Sequence, residues 1–195
     1  GNTLYRIEAL KDFGEIKKGN KGGFIASENN LSHEGNAWVS DDACVYGSAC
    51  VYGDACVFEC ACVYDNALVS GNGQVYGNAR VCGNARVYNH ACVYDNARVY
   101  GDALVRGDAC VCGDAEISNK SDCIVFQNWW SSGRYFTWTR SNNMWSVGCF
   151  YGTGEELIKK AYQDSKKSGL EYERIVHYVE DVLKSENNGN KESKN

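Results

Sequence analysis

The stretch "NARVYGDALVRGDACVCGDA", residues 96–115, repeats one pattern of six residues. Framed as x-x-Ala-x-Val-x, the pattern fills residues 35–118 with 14 units and no inserted or missing residue. Thirteen units carry Ala at the third place, with Gly73 the exception, and thirteen carry Val at the fifth, with Ile117 the exception. A period kept this strictly predicts a solenoid, in which each repeat packs only on its neighbours.

The spacing within a unit predicts a short strand followed by a corner. Side chains two apart on a strand face the same side, so each Ala and Val pair is expected to point inward. The Gly, Asn and Asp residues before each Ala suit corners, where the backbone bends. With three sides per coil, residues 18 apart are stacked, and the 14 units make about 4.7 coils.

This pattern resembles that of the hexapeptide-repeat proteins and covers a little under half of the chain. The resemblance implies a left-handed parallel β-helix. The predicted fold class is therefore mainly β: a left-handed parallel β-helix with an N-terminal cap and a small α+β C-terminal domain. The resemblance also implies a homo-oligomer, either a homotrimer, as is common in the family, or another homo-oligomer. Both end segments are similar to those of hexapeptide proteins from phages and prophages.

The chain divides into four predicted regions. They are an N-terminal cap at residues 1–34, the β-helix at 35–124, an α+β domain at 125–184 and a disordered tail at 185–195. The cap begins with a predicted strand from Thr3 to Leu10 and is expected to cover the open end of the first coil. The tail segment lacks apolar side chains, which is typical of disorder.

The α+β domain is predicted to hold a three-stranded meander and two helices. Short polar segments at residues 131–133 and 141–143 separate its apolar runs. A capping box from Thr153 to Glu156 indicates that the first helix begins at about Gly154. Apolar residues at helical spacing predict the second helix from Leu170 to Lys184.

Composition and charge limit the classes of partner. The full chain carries a net charge of −5, and residues 35–118 carry 4 Arg and no Lys against 10 Asp and Glu, which is −6. An acidic solenoid is a poor binder of long nucleic acid, although a small anionic ligand remains compatible with it. No run of 18 apolar residues is present, so we expect no membrane span, and the N-terminus does not have the pattern of a signal peptide.

The 11 Cys residues are interpreted as small strand residues of a reduced, cytoplasmic protein. Cys44 and Cys62 are 18 apart, as are Cys92 and Cys110, so each pair is predicted to stack. Packing is the favoured role because a zinc site needs further Cys or His at ligand spacing. A redox or metal role for the stacked pairs stays open, and the sequence predicts no metal site and no cofactor.

The outward positions of the repeat are the candidate binding surface, since the inward positions are nearly invariant. The first face carries Arg80, Arg98 and Tyr100, and the second carries an aromatic column with Phe58, Tyr76 and Tyr94. The third face carries Arg86 and Arg106 beside Tyr52 and Tyr88. Exposed aromatic and Arg side chains favour a subunit interface or a site for a base and a phosphate. The alternative for the aromatic columns is stacking that only stabilises the parallel strands. The predicted ligand-binding residues of the repeat are Arg80, Arg86, Arg98, Tyr100 and Arg106.

A second candidate surface lies in the C-terminal region, which holds four of the five Trp residues. Trp and Arg together suit stacking on a nucleobase or a contact with a protein. Structural core is the alternative for this cluster as a whole. The predicted binding residues are Trp129, Trp130, Arg134, Trp138 and Arg140.

Catalysis receives little support. Acyltransferase relatives imply a catalytic His and a long loop that interrupts the coils, and zinc carbonic anhydrase relatives imply three His on one metal. The chain has only His33, His90 and His177, and the repeat holds no inserted loop. His90 is expected to be a turn residue, and no catalytic residue is predicted.

The leading hypothesis is therefore a non-catalytic binding protein. With the phage origin taken from the resemblance, it would counter a host defence by sequestering a nucleotide-like signal or by blocking a host protein. The alternatives are an acyltransferase-like enzyme that uses His90 at a subunit boundary and a structural or assembly scaffold.

Overall fold

The structure is a computed structural model that describes residues 3–130 and 133–192, with side chains described as far as residue 186. The chain forms two compact units, Gly1–Cys149 and Phe150–Asn195. The first unit contains the whole repeat, and the second contains both α-helices.

The first unit is built on a three-sided β-solenoid whose strands pair in parallel from one coil to the next. Its first face holds β2 (Lys21–Ile25), β5 (Cys44–Val45), β8 (Cys62–Val63), β11 (Arg80–Val81), β14 (Arg98–Val99) and β17 (Glu116–Ile117). Its second face holds β4 (Trp38–Val39), β7 (Cys56–Val57), β10 (Gln74–Val75), β13 (Cys92–Val93) and β16 (Cys110–Val111). Its third face holds β3 (Leu31–Gly35), β6 (Cys50–Gly53), β9 (Leu68–Val69), β12 (Arg86–Val87) and β15 (Leu104–Val105). Partners within the repeat are 18 residues apart, for example Val75 and Val93, so the predicted stacking is confirmed.

The inward columns form one continuous core. The thirteen Ala and thirteen Val residues of the repeat, together with Ile117, are each at most 4% exposed. Gly73 replaces Ala where a Cβ atom would lie 3.0 Å from the carbonyl oxygen of Ser70 and 3.2 Å from that of Val87. Burial of these side chains is the main favourable term for a fold in which most strands are only two residues long.

The first residue of each unit lies at a corner of the solenoid. All 14 first residues, from Gly35 to Gly113, have positive φ, a conformation that favours Gly and tolerates Asn and Asp. Several acidic residues at this place bond to the next coil. The Glu59 carboxylate accepts a hydrogen bond from the Gly77 amide at 2.8 Å, and Asp95 accepts one from Gly113 at 3.1 Å.

Polar side chains at the second place of the units form hydrogen-bonded ladders along the corners. One ladder joins the amide of Asn66 to Asn84 at 3.3 Å and Asn84 to Asp102 at 3.0 Å. These contacts link successive coils outside the core, in addition to the backbone hydrogen bonds.

The solenoid begins earlier than the repeat, which corrects the predicted cap at residues 1–34. Strands β2 and β3 already form two sides of a coil, and Phe24 and Ile25 pair with Cys44 and Val45. Gly23 lies beside Ala43, where a Cβ atom would come within 2.6 Å of a carbonyl oxygen. A coil can therefore form without the hexapeptide pattern when Gly allows the backbone to approach. The predicted first strand is shorter, β1 (Tyr5–Glu8), and pairs antiparallel with β2.

The three strands predicted for the meander are present and pair in chain order, but they belong to the first unit. They are β18 (Cys123–Gln127), β19 (Tyr135–Thr139) and β20 (Met144–Val147). The Cys110 amide donates to Thr137 Oγ1 at 2.9 Å, and the Glu116 amide donates to Ser141 Oγ at 2.7 Å. The division of the chain therefore follows Cys149 instead of residue 124, because these bonds tie the meander to the last coil.

The second unit contains β21 (Phe150–Gly152), α1 (Gly154–Asp164) and α2 (Lys166–Glu192). The capping box is confirmed, with Thr153 Oγ1 accepting from the Glu156 amide at 3.3 Å. Helix α2 continues beyond the predicted end at Lys184 through most of the segment predicted to be a disordered tail. Residues 193–195 of that segment lie outside the described residues. Neither described helix has an apolar stretch long enough to cross a lipid bilayer.

Candidate ligand-binding site

The predicted binding residues do not converge on one place. Arg80, Arg98 and Tyr100 lie on the first face of the solenoid, and Arg86 and Arg106 belong to the third face. The five C-terminal candidates lie on or beside the meander. Each group is therefore a separate candidate.

The first face presents an open column of changing side chains. In register from β5 to β17, the column consists of Cys44, Cys62, Arg80, Arg98 and Glu116. Arg98 Nη1 lies 3.5 Å from Glu116 Oε1, in a pair whose side chains are 58% and 46% exposed. Among the described residues, no carboxylate lies within ion-pair distance of Arg80. Two stacked guanidinium groups repel each other, so the column is suited to an anion.

Two thiols precede Arg80 in the same column. Cys44 Sγ and Cys62 Sγ are 3.0 Å apart, and the Cys44 thiol donates to the Cys62 sulfur. This hydrogen bond, helped by the positive charge of Arg80, lowers the pKa of Cys62 to about 6 even though burial acts in the opposite direction. The same hydrogen bond raises the pKa of Cys44. The predicted stacking of this pair is confirmed.

The second face carries a stacked aromatic column. The rings of Phe58 and Tyr76 are 4.7 Å apart with 6° between their planes, and those of Tyr76 and Tyr94 are 4.9 Å apart with 2°. Burial raises the pKa of Tyr94, whose hydroxyl also forms hydrogen bonds with the side chains of Cys112 and Ser146. The end of this face that carries Tyr94 therefore packs against β20. The aromatic column is thus part of the packed structure and not a free docking surface.

The third face ends in a cavity of about 570 Å³. Arg106 and Lys120 line it together with Asn89, and Leu104 and Val125 form part of its apolar wall. No described lining residue is acidic, and among the described residues neither cation has an ion-pair partner. We call this space the Arg106 cavity. The sequence analysis identified Arg106 but missed Lys120 and Asn89. Asn89 lies at a corner and Lys120 lies in the turn before β18, and only the folding of the last coil brings these two places together.

Tyr88 is the aromatic residue that precedes Arg106 on the third face, and it does not line the Arg106 cavity. It occupies the same column as Arg106 one coil earlier, and its amide donates to the carbonyl oxygen of Val105 at 3.0 Å. Arg86 lies on the same face but pairs in register with Leu68 and Leu104. The third face thus brings two cations and apolar surface together around the cavity, with Tyr88 one coil earlier.

Most of the Trp cluster is core. Trp138 is 1% exposed, and its indole Nε1 donates to Asn143 Oδ1 at 2.8 Å. The prediction that Trp138 contacts a ligand is therefore wrong, because its ring is enclosed by the meander. Arg140 covers that ring at 5.7 Å and donates to the Ser121 carbonyl oxygen at 3.3 Å. Its guanidinium group therefore holds the meander in place.

The other three predicted residues of this region differ in exposure. Trp129 is 85% exposed, and its ring meets the half-buried Trp130 edge to face at 6.1 Å. The Arg134 carbonyl oxygen accepts a hydrogen bond from the Asn128 amide at 2.7 Å. Trp129 and Arg134 remain surface candidates.

A second cavity, of about 580 Å³, lies at the opposite end of the solenoid. Its lining is mainly apolar, and His33 also lines it. The apolar lining residues include Ile7, Leu10, Phe13, Ile25, Leu31 and Trp38. Apart from Trp38, these residues precede the repeat, so no column pattern marks them in the sequence.

His90 occupies a corner, as the sequence predicts. Its Nε2 lies 3.2 Å from Asn72 Nδ2 one coil earlier, in the position that Asn or Asp takes in the other ladders. Among the described residues, no group of three or more His, Cys, Asp or Glu side chains is placed to share a metal ion.

The comparison with known families gives matches within the solenoid only. Four overlapping segments, residues 61–77, 73–88, 79–95 and 91–107, match the family model described as the YdcK beta solenoid repeat. The matched region lies within the coils and is less than half of the 195 residues. A search of curated proteins found no match. The comparison and the parallel coils together support a repeat β-helix.

Proposed function

We propose that this protein is a non-catalytic binding protein that holds a small anionic, nucleotide-like ligand in the Arg106 cavity. The observation that carries the proposal is the placement of two cations, Arg106 and Lys120, around one cavity with no acidic lining residue. Its volume of about 570 Å³ falls within the range of about 300–1,000 Å³ that is usual for small-molecule sites.

The charge of the surroundings supports a small ligand over a polymer. The repeat as a whole carries −6, so positive potential is confined to short patches. A long nucleic acid needs many phosphate contacts, whereas one phosphate group needs only two or three donors. The guanidinium group of Arg106 is suited to a bidentate phosphate contact, and Lys120 adds a second charge.

The apolar and aromatic residues support the nucleotide-like part of the proposal. Leu104 and Val125 line the cavity beside the cations, and Tyr88, which does not line it, belongs to the same column as Arg106 one coil earlier. A base can stack on an aromatic ring while its phosphate binds to Arg. From the resemblance to phage and prophage hexapeptide proteins, we extend the proposal to sequestration of a host signal nucleotide by a phage-encoded protein.

Two double variants of equal charge change test the site. Arg106→Gln with Lys120→Gln removes both cavity cations, and Arg80→Gln with Arg98→Gln removes the same charge from the first face. Isothermal titration with adenosine monophosphate should show that the cavity variant loses at least about tenfold in affinity, which corresponds to two charge-assisted contacts. The first-face variant should bind about as well as the unchanged protein.

Inorganic phosphate and adenosine serve as the two half-ligand probes. The proposal requires both to bind more weakly than adenosine monophosphate, because each lacks one half of the contacts. If the first-face variant loses the affinity and the cavity variant keeps it, the ligand binds to the Arg80 and Arg98 column and the cavity assignment is wrong. If no probe binds and native mass spectrometry of protein purified from cells releases no small molecule, the binding function itself is wrong.

A further inference from the structure

We propose that Cys44 and Cys62 form a redox-active thiol pair, which a hydroperoxide oxidises to an intrachain disulfide. Their sulfur atoms are already 3.0 Å apart. Their Cα atoms are register partners on adjacent parallel strands, about 4.8 Å apart, and a disulfide accepts Cα separations of about 4.4–6.8 Å. Closing the bond therefore needs side-chain rotation and no rearrangement of the coils. This proposal does not depend on the proposed ligand.

The two sulfurs have different roles in the reaction. The Cys62 thiolate attacks one peroxide oxygen, so that an S–O bond forms, the O–O bond breaks and the departing oxygen takes up a proton. Cys62 is then a sulfenic acid. The Cys44 sulfur attacks the Cys62 sulfur, the S–S bond forms, and the hydroxyl group leaves with the Cys44 proton as water. The two thiols lose two electrons in total, and the hydroperoxide accepts them.

The surroundings favour Cys62 as the first nucleophile. Cys44 donates a hydrogen bond to it, and the positive Arg80 follows in the same column. Both features stabilise a thiolate, and the pKa of Cys62 is accordingly about 6. Both thiols are half-buried and open to the first face, so a small hydroperoxide can reach them.

The same protein contains a matched control pair. Cys92 and Cys110 are also register partners 18 residues apart, and a hydrogen bond from Cys110 lowers the pKa of Cys92 to about 7. This pair has Gln74 as its column neighbour, and the charge of Asp108 opposes its thiolate. The amide of Cys110 is bonded to Thr137, so the meander approaches this pair. It therefore has the stacking of the first pair without its cation.

The test treats the reduced full chain with hydrogen peroxide at pH 7, blocks free thiols with N-ethylmaleimide at set times and maps the cysteines by mass spectrometry. Chymotrypsin cleaves after Trp38, Tyr46, Phe58 and Tyr64. Cys44 then lies in peptide 39–46, and Cys62 lies with Cys60 in peptide 59–64. The expected first product joins these two peptides through Cys62. Cys62 should react roughly tenfold faster than Cys50 or Cys56, because burial raises the pKa of both of those thiols.

Variants separate a redox pair from simple proximity. Cys44→Ser should leave a sulfenic acid at Cys62 that dimedone traps, and Cys60→Ser should form the disulfide at the unchanged rate. Arg80→Gln should slow oxidation about threefold or more, whereas Arg98→Gln, one coil further away, should not. The proposal is overturned if the Cys92 and Cys110 pair oxidises as fast as the Cys44 and Cys62 pair. It is also overturned if Cys62 reacts no faster than Cys50, or if its disulfides join separate chains.

Discussion

Arg80 and Val81 are neighbours in the sequence, yet they belong to columns that follow opposite rules. Val81 lies between Val63 and Val99 in an inward column where every member is fully buried. Arg80 lies between Cys62 and Arg98 in an outward column that changes from coil to coil. The inward column specifies the fold, because each coil must fit the coil before it. The outward column is free to vary, so any specific chemistry of the solenoid must be on its outside.

The largest effect is expected when the same charge is placed at an inward position and, in a second variant, at the neighbouring outward position. Val81→Asp buries a carboxylate where no hydrogen-bond partner is available, and should lower the free energy of unfolding by about 4 kcal/mol or more. Arg80→Asp should change it by less than about 0.5 kcal/mol. Urea unfolding followed by circular dichroism measures both. Similar losses for the two variants would mean that inward and outward columns do not differ in stability.

A smaller effect is expected at the corners. Gly77 and Gly107 have φ of 70° and 68°, so Ala should cost about 1 kcal/mol at either position through its conformation. A Cβ atom at Gly77 would also lie 2.7 Å from the Asp95 amide nitrogen, whereas one at Gly107 would have no atom within 4 Å. Gly77→Ala should therefore cost about 2–3 kcal/mol in total. Thermal unfolding of the two variants measures the difference. Equal shifts in melting temperature would mean that contact between coils is not the reason for glycine at position 77.

The smallest of the three effects concerns two outward aromatic residues. Tyr76 stacks on Phe58 and Tyr94, so Tyr76→Ala should cost about 2 kcal/mol. Tyr100 is 38% exposed, with Cys82 and Ser118 as its column neighbours, so Tyr100→Ala should cost less than about 1 kcal/mol. Urea unfolding of both proteins measures the difference. A larger loss for Tyr100 would mean that the second-face column is not the stabilising one.

Sequence patterns predicted the repeat, its 18-residue stacking, the meander and the capping box at Thr153, because each depends on residues at fixed short spacing. They did not predict the coil formed by β2 and β3, since Gly23 and Phe24 carry no hexapeptide pattern. They also placed Trp138 among the binding residues, because a sequence cannot show which aromatic residues a meander encloses.

The sequence by itself determined the inward columns, since a period of six residues leaves Ala and Val only one side of each strand to occupy. Tertiary structure decided what lies together on the outside. It joined Arg106 to Lys120 around one cavity, brought Cys44 within 3.0 Å of Cys62 and covered Cys110 with the meander. The physical reason is that periodicity is a local property of the chain, whereas a site depends on distances between side chains that only packing establishes.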